Sequence, residues 1–450
     1  MNIDSLDPNV FAPVSREAWL KLVDRALKGA DFQEALVSHT DDGIAIEPLY
    51  ARRPDATPLA RRNIDRPWIV SQRMDDPDIE RAFTQLADDL TNGASGVSLI
   101  SKNSPSAFGV GIDATTEAIA ARLAAAASGN SVSLRLDGLS PAFAAGLASA
   151  LGKSQHLPTV HFGLDVFAPG SATQETTGSF RRLRDAGFAG TLINADGRAV
   201  HNAGGTEAQE LAVVAAALVG HLKLLDKAGF APEAILNAAS LCLSADQNQY
   251  ITMAKARAAR LIFARIAEAC GISDPPAAHL YMETSYRMLT RLDPETNILR
   301  NTIAVFSAGI GGADEISVLP HSLTHGIPDP LARRLARNTQ IVLIAESHLD
   351  HVVDPAAGAG GIEALTEALA ERAWEIFVGI ERDGGLAEII ASGRLAAMVA
   401  EARANRAAKP IVGTTLFAAK MERPVAVLGE LRTVAECMGL TPVRLDEVGA

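Results

Sequence analysis

Two hydrophobic patterns take turns along the chain. Ala18, Leu20, Leu22, Val23 and Leu27 recur at helical spacing, which predicts a short amphipathic helix opening after Ser15 as its N-cap. The stretch 43–50 alternates loosely, and the polar, proline-containing stretch 51–65 reads as a linker or an arm lying on a surface. From about Glu80 onward, helical stretches alternate with short apolar runs. Helix 80–92 leads to strand 96–101, helix 114–127 to strand 130–136, helix 140–152 to strand 158–164 and helix 178–187 to strand 190–195. Helix 206–227 leads to strand 238–243, helix 248–271 to strand 278–283 and helix 294–308 to strand 314–319, with helix 329–348 behind. Repeated units of this kind, joined by Gly, Asn and Asp turns, imply a parallel sheet with helical crossovers. Seven strands are well marked and an eighth falls near 353, so the expected fold is α/β, a closed (β/α)8 TIM barrel over about 95–360. An open doubly wound sheet is the alternative, but no glycine-rich strand–turn–helix fingerprint opens the chain. Helix 362–381 and two more helical stretches reach about 408, a short C-terminal helical extension. The expected division is therefore an N-terminal arm at 1–65, the barrel with its following helices at 66–408, and a tail at 409–450 too short for another α/β domain.

Composition narrows the functions open to such a barrel. The chain has 450 residues, 48% hydrophobic and 21% charged, which excludes a disordered or fibrous protein. Aromatics are 5% and alanine is dense, which suits close-packed helices. The formal charge of −12 argues against general nucleic-acid or anionic-membrane binding. Cys242, Cys270 and Cys437 are scattered and odd in number, so no disulfide framework or CxxC pattern exists and a reducing cytoplasmic setting is expected. The acidic start, Met1 to Asp7, shows no signal peptide, and apolar runs such as 211–220 are too short to span a bilayer.

The usual chemical motifs are missing. Gly309-Ile310-Gly311-Gly312 and Gly358-Ala359-Gly360-Gly361 match neither GxGxxG in the required strand-to-helix order nor GxxxxGK[ST], and read as tight loops. His321 and His325 are four apart but lack the Glu of a zinc helix. His348 and His351 sit beside Asp350 and Asp354 without an identifiable third ligand, so no metal is expected there. There is no GxSxG elbow and no HExxH. Arg66-Pro67-Trp68, opening the extended run 69–73, is the least ordinary segment. Its bland reading is a buried Trp anchor beside a surface arginine; its sharper reading is an arginine holding an anionic ligand at the barrel mouth.

Several segments together resemble one family, the adenosylcobalamin-dependent acyl-CoA mutases, above all methylmalonyl-CoA mutase. Leu331 to Gln340, reading LARRLARNTQ, resembles the family's ARRIARNTQ-like helix, with Ala345 to His348 and Val353-Asp354-Pro355 behind it. Thr284-Ser285, Leu289-Thr290, Asp293-Pro294, Asn297 and Arg300 resemble its TSGWSLT…DPYNN..R segment. Ala254 to Arg260 resembles AKLRAAR, Arg66-Pro67-Trp68 with Gln72 resembles RPWTIRQY, and Pro410 to Gly413 resembles the PLIGVN turn. The match covers about residues 60 to 425. It implies a barrel that admits the CoA pantetheine chain along its axis, with Arg66, Trp68 and Gln72 as candidate CoA-facing residues.

The departures bear on function. Arg73 stands where the family has a Tyr that packs on the substrate and helps drive radical formation. The segment Asp196 to Gly204 aligns with SGYHMQEAG, so Arg198 replaces its Tyr, Ala199 its His, and His201 falls at its Gln. Glu283 aligns with a substrate-facing Gln and Tyr281 with a nearby His. Ala199 cannot polarise a thioester carbonyl, and Glu283 with the arginines puts charge where a neutral radical must be shielded. No residue here is therefore expected to be catalytic; Arg73, Arg198, Ala199 and Glu283 mark a degenerate substrate pocket. The cobalt-ligating DxHxxG motif does not occur, and the chain ends where the cobalamin domain would begin, so no cofactor is expected on this chain and adenosylcobalamin is expected on a partner. The pattern resembles the small subunit of heterodimeric methylmalonyl-CoA mutases, whose arm is similar at Trp19, Gly43-Ile44 and Pro48 to Tyr50. That implies a large-subunit partner and a supporting role in interconverting methylmalonyl-CoA and succinyl-CoA. The alternatives are an active mutase barrel using a separate cobalamin-binding subunit, and a solitary CoA-ester-binding protein.

Overall fold

The computed structural model describes residues 14–59, 66–113, 116–127, 132–152, 158–168 and 173–448. The acidic start and the end of the polar stretch, 60–65, lie outside the described residues. The arm opens as expected: Arg16–Leu27 is a helix whose N-cap, Ser15, accepts a hydrogen bond from the Ala18 amide. A second short helix, Phe32–Leu36, follows, and then a hairpin pairs β1 (Ser38–His39) with β2 (Ala45–Ile46).

The barrel has eight parallel strands: β3 (Ile69–Met74), β4 (Gly96–Ile100), β5 (Ser133–Asp137), β6 (Thr159–His161), β7 (Ile193–Asp196), β8 (Ala239–Ala245), β9 (His279–Thr284) and β10 (Glu315–Ser317). Their order is β6-β5-β4-β3-β10-β9-β8-β7, and a parallel bridge from Leu164 to Ile193 joins the two ends. The eighth strand is thus not near 353. It is Ile69–Met74, and the barrel begins earlier and ends sooner than the hydrophobic pattern suggested. Residues 351–353 form bends, with Val352 53% exposed. The physical reason is that β3 reads Ile-Val-Ser-Gln-Arg-Met, with polar side chains on both faces. Ser71 points into the barrel and bonds Ser98, while Gln72 points outward and donates to Asp89.

The helices cover the outside. Glu207–Lys227, capped by a Thr206–Gln209 capping box, is long and apolar enough to cross a membrane, but most of its residues are buried in this fold. Gly360–Arg382 packs across it and across Gln249–Ala269. The arm seals this junction. A Cβ on Gly360 would lie 1.8 Å from the Ala51 carbonyl oxygen, so only glycine allows the arm to pass so closely.

The segments that carry the family resemblance tie the outer helices to β3. Trp68 Nε1 donates to Gln340 at 3.1 Å, Arg337 meets Asp89 at 2.5 Å, and Arg333 meets Asp75 at 2.7 Å. Trp68 packs over Gly309, where a Cβ would meet its ring at 2.9 Å. Arg257 pairs with Asp354 and, at 2.7 Å, with Glu363.

Candidate functional site

Ligands in α/β barrels bind at the carboxyl ends of the strands. Here that mouth is built from side chains spaced two apart, which a strand places on one face. Arg73 and Asp75 come from β3 and the turn after it, Arg135 and Asp137 from β5, Asp196 and Arg198 from β7 and the short helix Arg198–Asn202, and Tyr281 and Glu283 from β9. All face inward and are almost completely buried; Arg73 is 3% exposed, and Arg198 and Glu283 are each 1% exposed.

Arg73, Arg198 and Glu283 are brought together. Arg73 donates to Glu283 at 2.5 Å, to Asp75 at 2.8 Å and to the Ser106 carbonyl at 2.6 Å. Arg198 donates to Asp196 at 2.5 Å, to Asp137 at 2.8 Å and to the Ser106 hydroxyl at 2.7 Å, with Glu283 at 3.5 Å. The guanidiniums of Arg135 and Arg198 lie over the Tyr281 ring at 4.1 Å and 5.2 Å, and its hydroxyl donates to Glu283 at 3.4 Å. Burial opposes these charges, and their mutual attraction more than offsets it: Asp75 and Asp137 are held below the usual carboxylate range by Arg333, Arg73 and Arg198. Asp75 and Asp137 are therefore ionised and paired.

Ala199 is buried one residue further on and offers no polar atom. His201 is engaged elsewhere, with Nε2 at 2.8 Å from the Ser285 hydroxyl and Nδ1 at 3.2 Å from Glu207. The expectation that Arg66, Trp68 and Gln72 face CoA is corrected. Trp68 and Gln72 lie between the sheet and its outer helices, because odd-numbered residues of β3 point inward and these do not; Arg66 is exposed ahead of the strand. Asp75, Ser106, Asp137 and Asp196 were not singled out from the sequence. The signal was present: opposite charges two apart at strand ends, Arg73/Asp75, Arg135/Asp137 and Asp196/Arg198.

The tail lies over this mouth. The Arg432 amide donates to Gly109, the Val443 amide to Asn202, the Leu445 amide to Arg287 and the Ile327 amide to Gly429. Cys437, Met438 and Leu440 are the tail's buried hydrophobic residues. The cavity between tail and ion pairs is about 30 Å³, lined by Asp137, Gly163, Asp165, Asp196, Cys437 and Met438. That is room for about one water, whereas small-molecule pockets run to ~300–1,000 Å³. A cavity of about 400 Å³ lies to one side, between the arm and residues 403–411.

These features define a (β/α)8 barrel whose strand-end site is occupied by its own ion pairs and covered by its own tail. The family model of methylmalonyl-CoA mutase matches residues 184–433. The methylmalonyl-CoA mutase small subunit of Streptomyces virginiae is 34% identical over 97% of this chain and 75% of its own length. That of Propionibacterium freudenreichii subsp. shermanii is 31% identical over 88% of this chain and 66% of its own length. A probable methylmalonyl-CoA mutase small subunit of Mycobacterium tuberculosis is 45% identical over 48% of this chain and 35% of its own. The chain belongs to the methylmalonyl-CoA mutase family, and its resemblance is to proteins named as the small subunit.

Proposed function

We propose that this chain is a non-catalytic supporting subunit of an adenosylcobalamin-dependent methylmalonyl-CoA mutase, joined to a catalytic large subunit through its N-terminal arm. The observation that carries the reading is the buried network of Arg73, Arg198 and Glu283 with Asp75, Asp137 and Asp196. A mutase site must hold an acyl thioester in one orientation with water excluded. Here the volume in which an acyl group would sit is taken by guanidinium and carboxylate groups, and Ala199 offers a methyl group where the family uses a histidine. The described residues do not suit cobalamin either. The tail seals the strand ends, and no DxHxxG supplies a cobalt ligand. The partner follows from the arm: no residue of Arg16–Leu27 is buried, and Leu22 is 56% and Leu49 46% exposed. A helix with Leu22 exposed and Trp19, Leu20, Val23 and Leu27 only half-buried suits a protein surface. Supplying the purified chain with adenosylcobalamin, a free cobalamin-binding subunit and methylmalonyl-CoA is expected to yield no succinyl-CoA. Turnover in that mixture would overturn the reading in favour of an active barrel.

A further inference from the structure

Below the mouth, the barrel holds a second polar cluster that the ion-pair network does not use. His161 ends β6, His279 opens β9 and Glu315 opens β10, and one ligand-type atom from each lies within 4.8 Å of the others. The two imidazoles are stacked at 4.1 Å. Two buried atoms in the cluster have no hydrogen-bond partner, His161 Nε2 and Glu315 Oε1. His161 is 2% and Glu315 0% exposed, so each carries a desolvation penalty of ~1–3 kcal/mol unless something meets it. The other ends are occupied. Thr191 Oγ1 lies 2.9 Å from His161 Nδ1, and Glu315 Oε2 is held by Arg135 at 2.8 Å and lies 3.3 Å from His279 Nε2, a contact that a bound ion would replace.

We propose that His161, His279 and Glu315 form a binding site for a borderline divalent cation of the Zn2+ type, inside the barrel and separate from its mouth. Two imidazole nitrogens and a carboxylate oxygen, with a water as fourth ligand, are the donor set such an ion takes. Thr191 serves as the hydroxyl that orients the liganding ring by accepting Nδ1–H. In the metal-free geometry the Thr191 amide also points at Nδ1 from 3.3 Å, and loading requires this longer contact to give way. Arg135 opposes the added charge, which the carboxylate it shares with the ion offsets in part. Access is from the floor of the barrel, where the His279 side chain is 18% exposed.

The test uses the whole chain, stripped with a chelator and titrated with Zn2+, and with Co2+ as a spectroscopic probe. One Zn2+ per chain is expected, with Co2+ giving visible bands of a nitrogen and oxygen site and no thiolate charge transfer. His279→Gln, at the partly exposed position, is expected to keep the far-UV spectrum and lose affinity by more than the ~10–100-fold that outer-shell changes cost. Thr191→Val should lose affinity within that range. No stoichiometric uptake overturns the proposal, leaving a water between His161 and Glu315. So does uptake that His279→Gln leaves unchanged, or a thiolate band pointing to the exposed Cys270.

Discussion

Replacing Arg198 with Met tests the energetic reading of the mouth. Arg198 is 1% exposed and touches three carboxylates, Asp196 at 2.5 Å, Asp137 at 2.8 Å and Glu283 at 3.5 Å. Methionine fills similar volume without charge. It leaves Asp137 with Ser104 as its remaining close donor and Asp196 facing it across a closed cavity. Removing one partner of a buried ion pair costs about 3–5 kcal/mol, because the other charge stays buried and uncompensated. Against a total stability of ~5–15 kcal/mol, that is a large share. The charge inventory sharpens the prediction. Arg73, Arg198 and Arg333 face Asp75, Asp137, Asp196 and Glu283, three cations against four anions. Arg198→Met widens the imbalance, whereas Glu283→Gln balances it and should cost less, about 1–3 kcal/mol from the weakened hydrogen bonds to Arg73 and Tyr281. Adding Asp137→Asn and Asp196→Asn to Arg198→Met should recover most of the loss. Urea unfolding of the four proteins at pH 7 measures this. A loss below about 1 kcal/mol in Arg198→Met, or a larger loss in Glu283→Gln, would refute the reasoning.

Two neighbouring groups should give opposite pH trends. Burial, with Asp196 and Asp137 close by, raises the Asp165 carboxyl from 3.8 to about 7, so its contribution is fullest below the unfolded value and is lost as pH rises through 7. Burial lowers His221 from 6.5 to about 4, so its contribution is present above 6.5 and is lost as pH falls toward 4. Asp165→Asn should therefore steepen the fall in stability between pH 6.5 and 4, by roughly 2–4 kcal/mol, and His221→Gln should flatten or reverse it; denaturant melts at pH 4.5, 5.5 and 7 read both. Leu22→Glu, on the exposed face of the arm helix, should change stability by no more than ~0.5 kcal/mol and abolish co-purification with a co-expressed large subunit. Retained binding would place the interface elsewhere.

How much of this was legible depended on which side of a strand carried the chemistry. The helices were readable because outer helices of a barrel keep an apolar inner stripe, and the Ser15 cap lay in plain view. Seven strands announced themselves by apolar outward faces packed under helices. β3 did not, because Gln72 on its outer face bonds Asp89 and Ser71 and Arg73 fill its inner face. Val353 offered a hydrophobic run without a partner strand. Arg73, Arg198 and Glu283 were found through resemblance. Their carboxylate partners were passed over: Asp75 and Asp196 sit two residues from Arg73 and Arg198, and Asp137 two residues from Arg135, which no motif marked. Trp68 and Gln72 were misplaced for a related reason: a motif tells which residues matter without telling which face they occupy. His161, His279 and Glu315 carry no local signature at all, since barrel closure alone brings strands β6, β9 and β10 to one axis.

The central claim is that this barrel supports catalysis without performing it. The direct measurement is methylmalonyl-CoA turnover by the large subunit with adenosylcobalamin, as a function of added chain. Wild type and the Arg73→Ala/Glu283→Ala pair would be compared, at concentrations where each is shown to be folded and bound. The account predicts that turnover rises to a plateau at one chain per large subunit, with the same kcat for both forms. A kcat that drops selectively with the mouth variant, or succinyl-CoA formed by the chain without the large subunit, would contradict it.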